Sequence, residues 1–485
     1  MEESKTITES KTITEPKTEL KTDTEQIEND QKSCTVVQKD LSAGSVSDLN
    51  KKQRYVFDQL CTGKSIFLTG PGGAGKTFLI ETYYRYACNN YGEYAVYKTS
   101  STGVSACLIN GKTLHSWAGI FLGEGTVDEL LNNMKFTAIN RWKNTKVLFI
   151  DEISMIKPEL FDKLEEIGRR LKNNDKPFGS IQIIASGDFF QLPPVEKNSN
   201  VIPLCFKAKT WNNVISETIQ LTDIIRQKDP VYQALLNEVR YGHISDPHSD
   251  ILKSRVGYIL RNDHGIIPTI LYPKNIDVDT LNIKKLNELL TKEKKYVYTA
   301  KFSKFVDIKA RSNKSIDTLY NNFKNDELKV SNTITLCKGA QIMFRKNINE
   351  MVANGTKGVV IDFAKIKSTL GGITIKDDTE YPLVKLLNGA TIHIVPEDFE
   401  YKVKGEFTFI KKQLPIKLSW ATTIHASQGS TLDYVIADIG SNIFAYGQVY
   451  VVLSRVKSIE GLSLISYDQN SIIANPEVLE FYQGI

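Results

Sequence analysis

Residues Gly70-Pro-Gly-Gly-Ala-Gly75-Lys76-Thr77 follow an apolar run, Ser65–Thr69, and precede a helix-periodic stretch, Phe78–Tyr86. Strand, glycine-rich loop and helix in that order leave few folds open. The glycines let successive backbone N–H groups wrap an anionic phosphate, and the new helix adds the positive end of its dipole. In the pattern G-x-x-x-x-G-K-[ST], Lys76 reaches the β and γ phosphates of a nucleoside triphosphate and the Thr77 hydroxyl holds Mg²⁺. The spacing therefore predicts a nucleotide site at residues 70–77.

The surrounding pattern supplies the sheet that such a loop needs. Short apolar runs recur at Ile66–Leu68, Val147–Ile150 and Ile181–Ala185, with helical periodicity between them, as at Leu160–Leu171. Strands alternating with helices predict a parallel sheet with crossover helices. A second series, Val435–Ile439 and Val449–Leu453, reads as further strands. Residues 330–415 differ: Gly358-Val-Val-Ile-Asp362 alternates, and Asn354-Gly355 and Asn388-Gly389 are hairpin signals. The expected fold class is α/β, two parallel-sheet units with a β-rich insert in the second. The limits are 48–222 for the first unit, 223–335 with 413–485 for the second, and 336–412 for the insert. Residues 1–47 carry a degenerate Thr/Lys/Glu repeat beginning at Lys5, Lys11 and Lys17, too polar to offset ordering entropy, and are expected to be disordered.

Chemistry-bearing residues cluster at the predicted strand ends. Asp151 and Glu152 end the run Lys146–Ile150: Asp151 suits a Mg²⁺ ligand, and Glu152 can orient and deprotonate an attacking water. Gln191 lies just past the third strand in Gly187-Asp-Phe-Phe-Gln-Leu-Pro-Pro194 and can sense a γ-phosphate. Arg226 and Arg455 each follow an apolar run far from Lys76 and are candidate cationic fingers. If they come from the second unit, ATP lies in the cleft between the units.

Charge and composition narrow the class. Residues 1–46 carry ten acids and six lysines, about −4, so with a net charge of +5 the remainder is +9. A basic body suits an anionic partner such as nucleic acid. No run approaches the roughly 18 apolar residues of a membrane span, so no membrane role is expected. The first residues carry no apolar h-region, so no secretory signal is expected. Six cysteines never fall as C-x-x-C, which favours a reducing, intracellular compartment over a zinc ribbon or disulfide scaffold.

Several ordered blocks resemble the PIF-type (petite integration frequency) DNA helicases, related to RecD-like enzymes of superfamily one. They are Leu49-Asn-Lys-Lys-Gln53, Ser101-Thr-Gly-Val-Ser-Ala106, Lys112-Thr-Leu-His-Ser-Trp-Ala-Gly119, Asp162–Gly179, Gly187–Val195, Thr423-Ile-His-Ala-Ser-Gln-Gly429 and Ala445–Arg455. The resemblance spans Leu49 to Leu464. It implies two RecA-like motor domains, an SH3-like barrel for the insert, and ATP-driven 5′-to-3′ movement on single-stranded DNA, with forks or structured DNA as targets. A monomer would suffice, in nucleus, cytoplasm or a viral replication site. It implies that Gln53 reads adenine and that Gly70, Pro71, Gly72, Gly73, Ala74, Gly75, Lys76, Thr77 and Gly429 contact the nucleotide. Thr77 and Asp151 would hold Mg²⁺, Gln191 and Arg226 the γ-phosphate, and Arg455 is the finger. Thr102, Gly103, His115, Thr423 and His425 become DNA-contact candidates. One departure stands out: Ala426 replaces the basic residue usual between His425 and Ser427.

Physically, hydroxyls and N–H groups near Thr102, Gly103 and Thr423 can hold phosphates without reading sequence. Trp117, Phe189 and Phe190 are candidate stacking faces, with core packing as the alternative; His115 and His425 have a structural alternative as well. Three other classes compete: an AAA+ remodeller, which would leave Gln191 and the Thr423–Gly429 block without a role; an RNA helicase, whose Asp-Glu-Ala-Asp is absent; and a scaffold that has lost catalysis.

Overall fold

The computed structural model describes residues 46–121, 123–194, 202–260, 268–306, 317, 320, 321, 323, 324, 330–346, 348, 352, 355–365, 379–386, 389–403 and 407–485. The expected tail falls outside the described residues except for a turn at Val46–Asp48. Asn354, Asn388 and Val195 also fall outside them.

Six strands form the first sheet: β1 (Ile66–Thr69), β2 (Val96–Ser100), β3 (Lys112–Thr113), β4 (Val147–Asp151), β5 (Gln182–Gly187) and β6 (Glu217–Gln220). Their order is β3-β2-β4-β5-β1-β6, with every pairing parallel. The side chains of β1 and β5 are buried along their whole length. That follows from a sheet covered by helices on both faces, where strands read as unbroken apolar runs. Burying each Ile, Leu or Phe contributes about 1.5–3 kcal/mol, and the core holds Phe67, Leu148, Ile150, Ile183 and Ala185 with the helix Pro158–Lys172.

The chain enters a second sheet at β7 (Thr269–Tyr272) and leaves it for antiparallel strands. These are β8 (Tyr296–Thr299), β9 (Lys301–Val306), β10 (Thr333–Leu336), β11 (Gln341–Phe344), β12 (Lys357–Lys365), β13 (Glu380–Leu386), β14 (Thr391–His393), β15 (Glu397–Val403), β16 (Phe407–Gln413) and β17 (Ile416–Leu418). The chain returns with β18 (Ala421–Thr423), β19 (Val435–Ile439) and β20 (Leu462–Tyr467), giving a parallel sheet ordered β18-β7-β19-β20. The molecule thus carries two RecA-like α/β units. Among the described residues no helix is long and apolar enough to cross a membrane.

Two expectations need correction. The antiparallel strands run from Tyr296 to Leu418, beyond 336–412 on both sides. The strands outside those limits are three to six residues long, too short for their alternation to stand out in sequence. Val449–Leu453 is helical, within Gln448–Leu453, not a strand. A five-residue apolar run has no period to separate a buried helix from a buried strand. Here Gly447 takes a left-handed conformation (φ +74°) ahead of the helix, and the Gln448 Oε1 accepts from the N–H groups of Phe444 and Ala445. The strand in that part of the fold is β20.

Candidate nucleotide site and nucleic-acid interface

The loop after β1 wraps a cavity of about 550 Å³. Gly73 and Gly75 have φ of +92° and +82°. A Cβ at Gly73 would sit 2.5 Å from the Arg226 Cβ, and one at Gly75 2.6 Å from the Gln53 Nε2. Only glycine permits both the backbone turn and these approaches. Lys76, Thr77, Gly72, Gly73 and Gly75 line the cavity. Gly70 and Pro71 act from behind it: their carbonyls accept from Lys76 Nζ at 2.7 and 3.0 Å. Ala74 is buried in the core beneath. Burial lowers the Lys76 pKa.

Asp151 and Glu152 face the same cavity from the tip of β4. β4 is not the immediate neighbour of β1, because β5 lies between them. Asp151 is pushed up to about 6, first by burial and then by the adjoining Glu152. Glu152 sits in the left-handed region (φ 52°, ψ 46°). A non-glycine residue there stores about 1–3 kcal/mol, a strain common at functional sites.

The other walls come from far along the chain. Gln53 lies in the first turn of the helix Lys51–Cys61. Its Oε1 accepts from the Asn50 N–H, while its buried Nε2 has no partner among the described residues. The Gln191 Oε1 is likewise buried and unpartnered. Arg226 is held against the loop, because Ile225 and Arg226 donate backbone N–H bonds to the Gly73 carbonyl. Its guanidinium donates to the Ser454 carbonyl at 2.9 Å. Gly429 and Arg455 close the cavity from the second motor unit. Arg455 is buried, and a Cβ at Gly72 would lie 3.4 Å from its Nη2. It donates to the carbonyls of Val451 (2.9 Å) and Ser430 (3.1 Å) and to Ser454 Oγ (2.7 Å). Burial, then the neighbouring Arg226, pulls its pKa down to about 10, so it stays cationic at neutral pH. The structure therefore brings Gln53, Lys76, Thr77, Asp151, Glu152, Gln191, Arg226, Gly429 and Arg455 to one space.

Sequence reasoning missed several supports. Gln428 Nε2 donates to Glu152 Oε2 at 3.1 Å, although it sits inside the quoted Thr423–Gly429 block. Asp188, from the loop after β5, accepts two bonds from Arg240 at 3.0 and 2.9 Å and one from the Tyr450 hydroxyl at 3.2 Å. Tyr450 in turn accepts from the Gly72 N–H at 3.0 Å. Tyr482, in the helix Pro476–Gln483, bonds Thr69 Oγ1 and the Phe189 N–H. No local spacing announces this cluster.

The DNA-contact candidates gather at strand ends. Thr102 and Gly103 follow β2, and the Thr102 hydroxyl bonds Ser105 Oγ at 2.6 Å. His115 follows β3 and Thr423 ends β18, with His425 in the next turn. All four named side chains are half-buried. Burial lowers the pKa of both histidines, leaving them neutral. In an open α/β sheet, ligands collect outside such carboxyl ends.

The stacking expectation is overturned for three residues. Trp117, Phe189 and Phe190 are 0, 3 and 3% exposed. Trp117 packs on Trp142 with centroids 4.4 Å apart, and Phe189 lies among Phe67, Phe206, Trp211 and Phe481. Phe190 stacks on Tyr482. Adjacency to a motif does not say which face of the loop a ring takes. An exposed aromatic near these motifs is Phe444, 59% exposed and stacked on the His425 ring at 6.4 Å. It lies one residue before the Ala445–Arg455 block.

Residues 48–250 match the PIF1-like helicase family. The ATP-dependent DNA helicase PIF1 of Xenopus laevis is 36% identical over 437 residues, covering 90% of this chain and 64% of that protein. The chain thus spans just under two thirds of that relative's length. The crystal structure of Pif1 helicase from Candida albicans superposes with a TM-score of 0.79 at 34% identity, covering 90% of this chain and 98% of that one. Bacteroides Pif1 bound to single-stranded DNA superposes at 0.68 with 25% identity, covering 90% and 96%.

Proposed function

Because this chain belongs to the PIF1-like helicase family, we propose that it is an ATP-dependent DNA helicase that moves 5′ to 3′ on single-stranded DNA and unwinds duplex ahead of it. One observation carries this reading: the cavity that holds Lys76 and Glu152 of the first motor unit is closed by Gly429 and Arg455 of the second. A nucleotide bound there touches both units. Its arrival and hydrolysis then alter how they close on each other, a hinge motion tied to nucleotide state.

Within the cavity the residues divide the work by chemistry. The free Gln53 Nε2 is a donor for an adenine ring nitrogen. The backbone N–H groups at Gly73–Thr77 cradle the phosphates, and Lys76 turns from its carbonyl partners toward them. Thr77 and Asp151 fit a magnesium site, since a hydroxyl and a carboxylate are hard oxygen donors and both line the cavity that the loop wraps. Bound Mg²⁺ would neutralise phosphate charge. Glu152, held by Gln428, orients a water and takes its proton. Gln191, Arg226 and Arg455 face the terminal phosphate, where positive charge favours the transition state.

The DNA strand lies across Thr102, Gly103 and His115 of one unit and Thr423 and His425 of the other, with Phe444 as a stacking face. That a relative is bound to single-stranded DNA supports a single strand as the partner. The antiparallel module is an SH3-like barrel, a monomer suffices for activity, and the protein acts inside the cell on forked or structured DNA in replication, repair or recombination.

A strand-displacement assay with 5′-tailed and 3′-tailed duplexes, Mg²⁺ and ATP tests the reading. Unwinding from the 5′ tail alone, with ATPase stimulated by single strands, is expected. Unwinding from the 3′ tail alone contradicts the direction, and ATPase indifferent to DNA contradicts the function.

A further inference from the structure

A second cavity, about 350 Å³, lies between the antiparallel module and the second parallel sheet. Its module wall is cationic. Lys357 on β12 and Lys417 on β17 pair with the same residue, Met343 of β11, from opposite sides. Directly paired residues on neighbouring strands face the same way, so both lysines lie in one row on one face. Arg345, two residues beyond Met343, lines the same cavity. Among the described residues no acidic side chain lines it. Among the described residues, Lys357 Nζ has one polar contact, donating to Thr269 Oγ1 at 2.9 Å, and the carboxylate acting on Lys417 is Asp279, outside the cavity. Burial, then Lys417, pulls Lys357 down to about 8; burial, then Arg345, lowers Lys417.

The opposite wall is the segment that carries the DNA-contact candidates. Thr422, Ala426 and Ser427 line it, and the Thr422 hydroxyl is buried without a partner among the described residues. Like charges in a row, each half-buried, are unfavourable unless an anion joins them. The methyl of Ala426 leaves the space open, and a long cationic side chain there would crowd a fourth charge against the other three. We propose that this cavity is a phosphate subsite, in which Lys357, Lys417 and Arg345 hold one phosphodiester of the DNA strand against the Thr422–Ser427 segment. The assignment rests on the helicase reading, because that segment leads from β18 through Thr423 and His425. It goes beyond that reading in naming a site on the module and the group it takes.

The test is fluorescence-anisotropy binding of a labelled oligo(dT) across a salt series to the full chain, its Lys357→Met/Lys417→Met variant and its Lys417→Arg variant. The double methionine variant is expected to bind about tenfold more weakly, as for a lost charge-assisted contact. Its slope of log K against log salt should fall by about 0.7, one single-strand phosphate. Lys417→Arg should stay near wild type. Without DNA, the double variant should melt at or above the wild-type temperature, because two half-buried like charges have gone. Wild-type binding with an unchanged variant affinity and slope overturns the inference alone. A lower melting temperature in the double variant makes the row structural and overturns it too. Stabilisation of wild type, but not the variant, by millimolar inorganic phosphate, with DNA binding unaffected, assigns the site to a free anion instead. Failure of wild type to bind oligo(dT) overturns the helicase reading and the subsite with it.

Discussion

Replacing Arg455 with alanine is expected to slow ATP turnover by about 10³-fold or more, while single-strand binding stays within a few fold. A cationic finger aimed at a transferring phosphoryl group supplies about 10³–10⁵ in rate, or about 4–7 kcal/mol. Arg455 is buried against the loop at Gly72, and its three hydrogen bonds go to its own unit, which aims the fork and leaves the charge for the ligand. Because it also holds the Ser430 carbonyl, the variant's melting curve should be recorded beside the steady-state rate. Arg455→Lys keeps the charge but loses the planar fork, so it should recover only part of the rate. Near-normal turnover in Arg455→Ala would remove this residue from the chemistry.

The second large effect is on stability. Arg240→Leu is expected to destabilise the folded chain by about 3–5 kcal/mol, the usual result of leaving one buried charge without its partner. Asp188 and Arg240 are almost wholly inaccessible, and the pair is bidentate. Burial alone would lower the Arg240 pKa, but the Asp188 carboxylate more than offsets it and the net shift is upward. The guanidinium also lies over the Phe190 and Tyr482 rings, at 4.4 and 5.1 Å. Replacing both members by leucine should recover part of the loss, since the lone buried charge is gone while the Tyr450 hydroxyl loses its acceptor. Denaturant titration of the two variants reads the difference. Equal stability of Arg240→Leu and wild type would mean that water reaches Asp188.

What could be read in advance was local chemistry. The residues from Gly70 to Thr77 are contiguous, so strand, loop and helix follow from eight letters and their flanks. Asp151 and Glu152 were legible because a strand end is marked by its apolar run. Arg455 was legible only as a candidate: 379 positions separate it from Lys76 (455 − 76), and only the closure of two sheets joins them. The Asp188–Arg240 pair lies 52 residues apart with no periodic link, and each residue alone looks like a surface charge. Trp117, Phe189 and Phe190 sit beside the right motifs but turn inward, since large rings gain most from a closed core. The helix at Gln448–Leu453 was hidden by its own uniformity: buried on every side, it shows no polar stripe. Lys357 and Lys417 are 60 residues apart (417 − 357) and become neighbours only because Met343 pairs with both.

The central claim is that one nucleotide, held by two motor units, changes how they close. Spin labels on the exposed positions Asn133 of the first unit and Lys253 of the second, with the exposed Cys61 replaced, report that geometry by pulsed electron resonance. The distance distribution is expected to shift when a non-hydrolysable ATP analogue and single-stranded DNA are added, and to shift again with ADP. A single unchanged distribution in the nucleotide-free, analogue-bound and ADP-bound states would contradict the account.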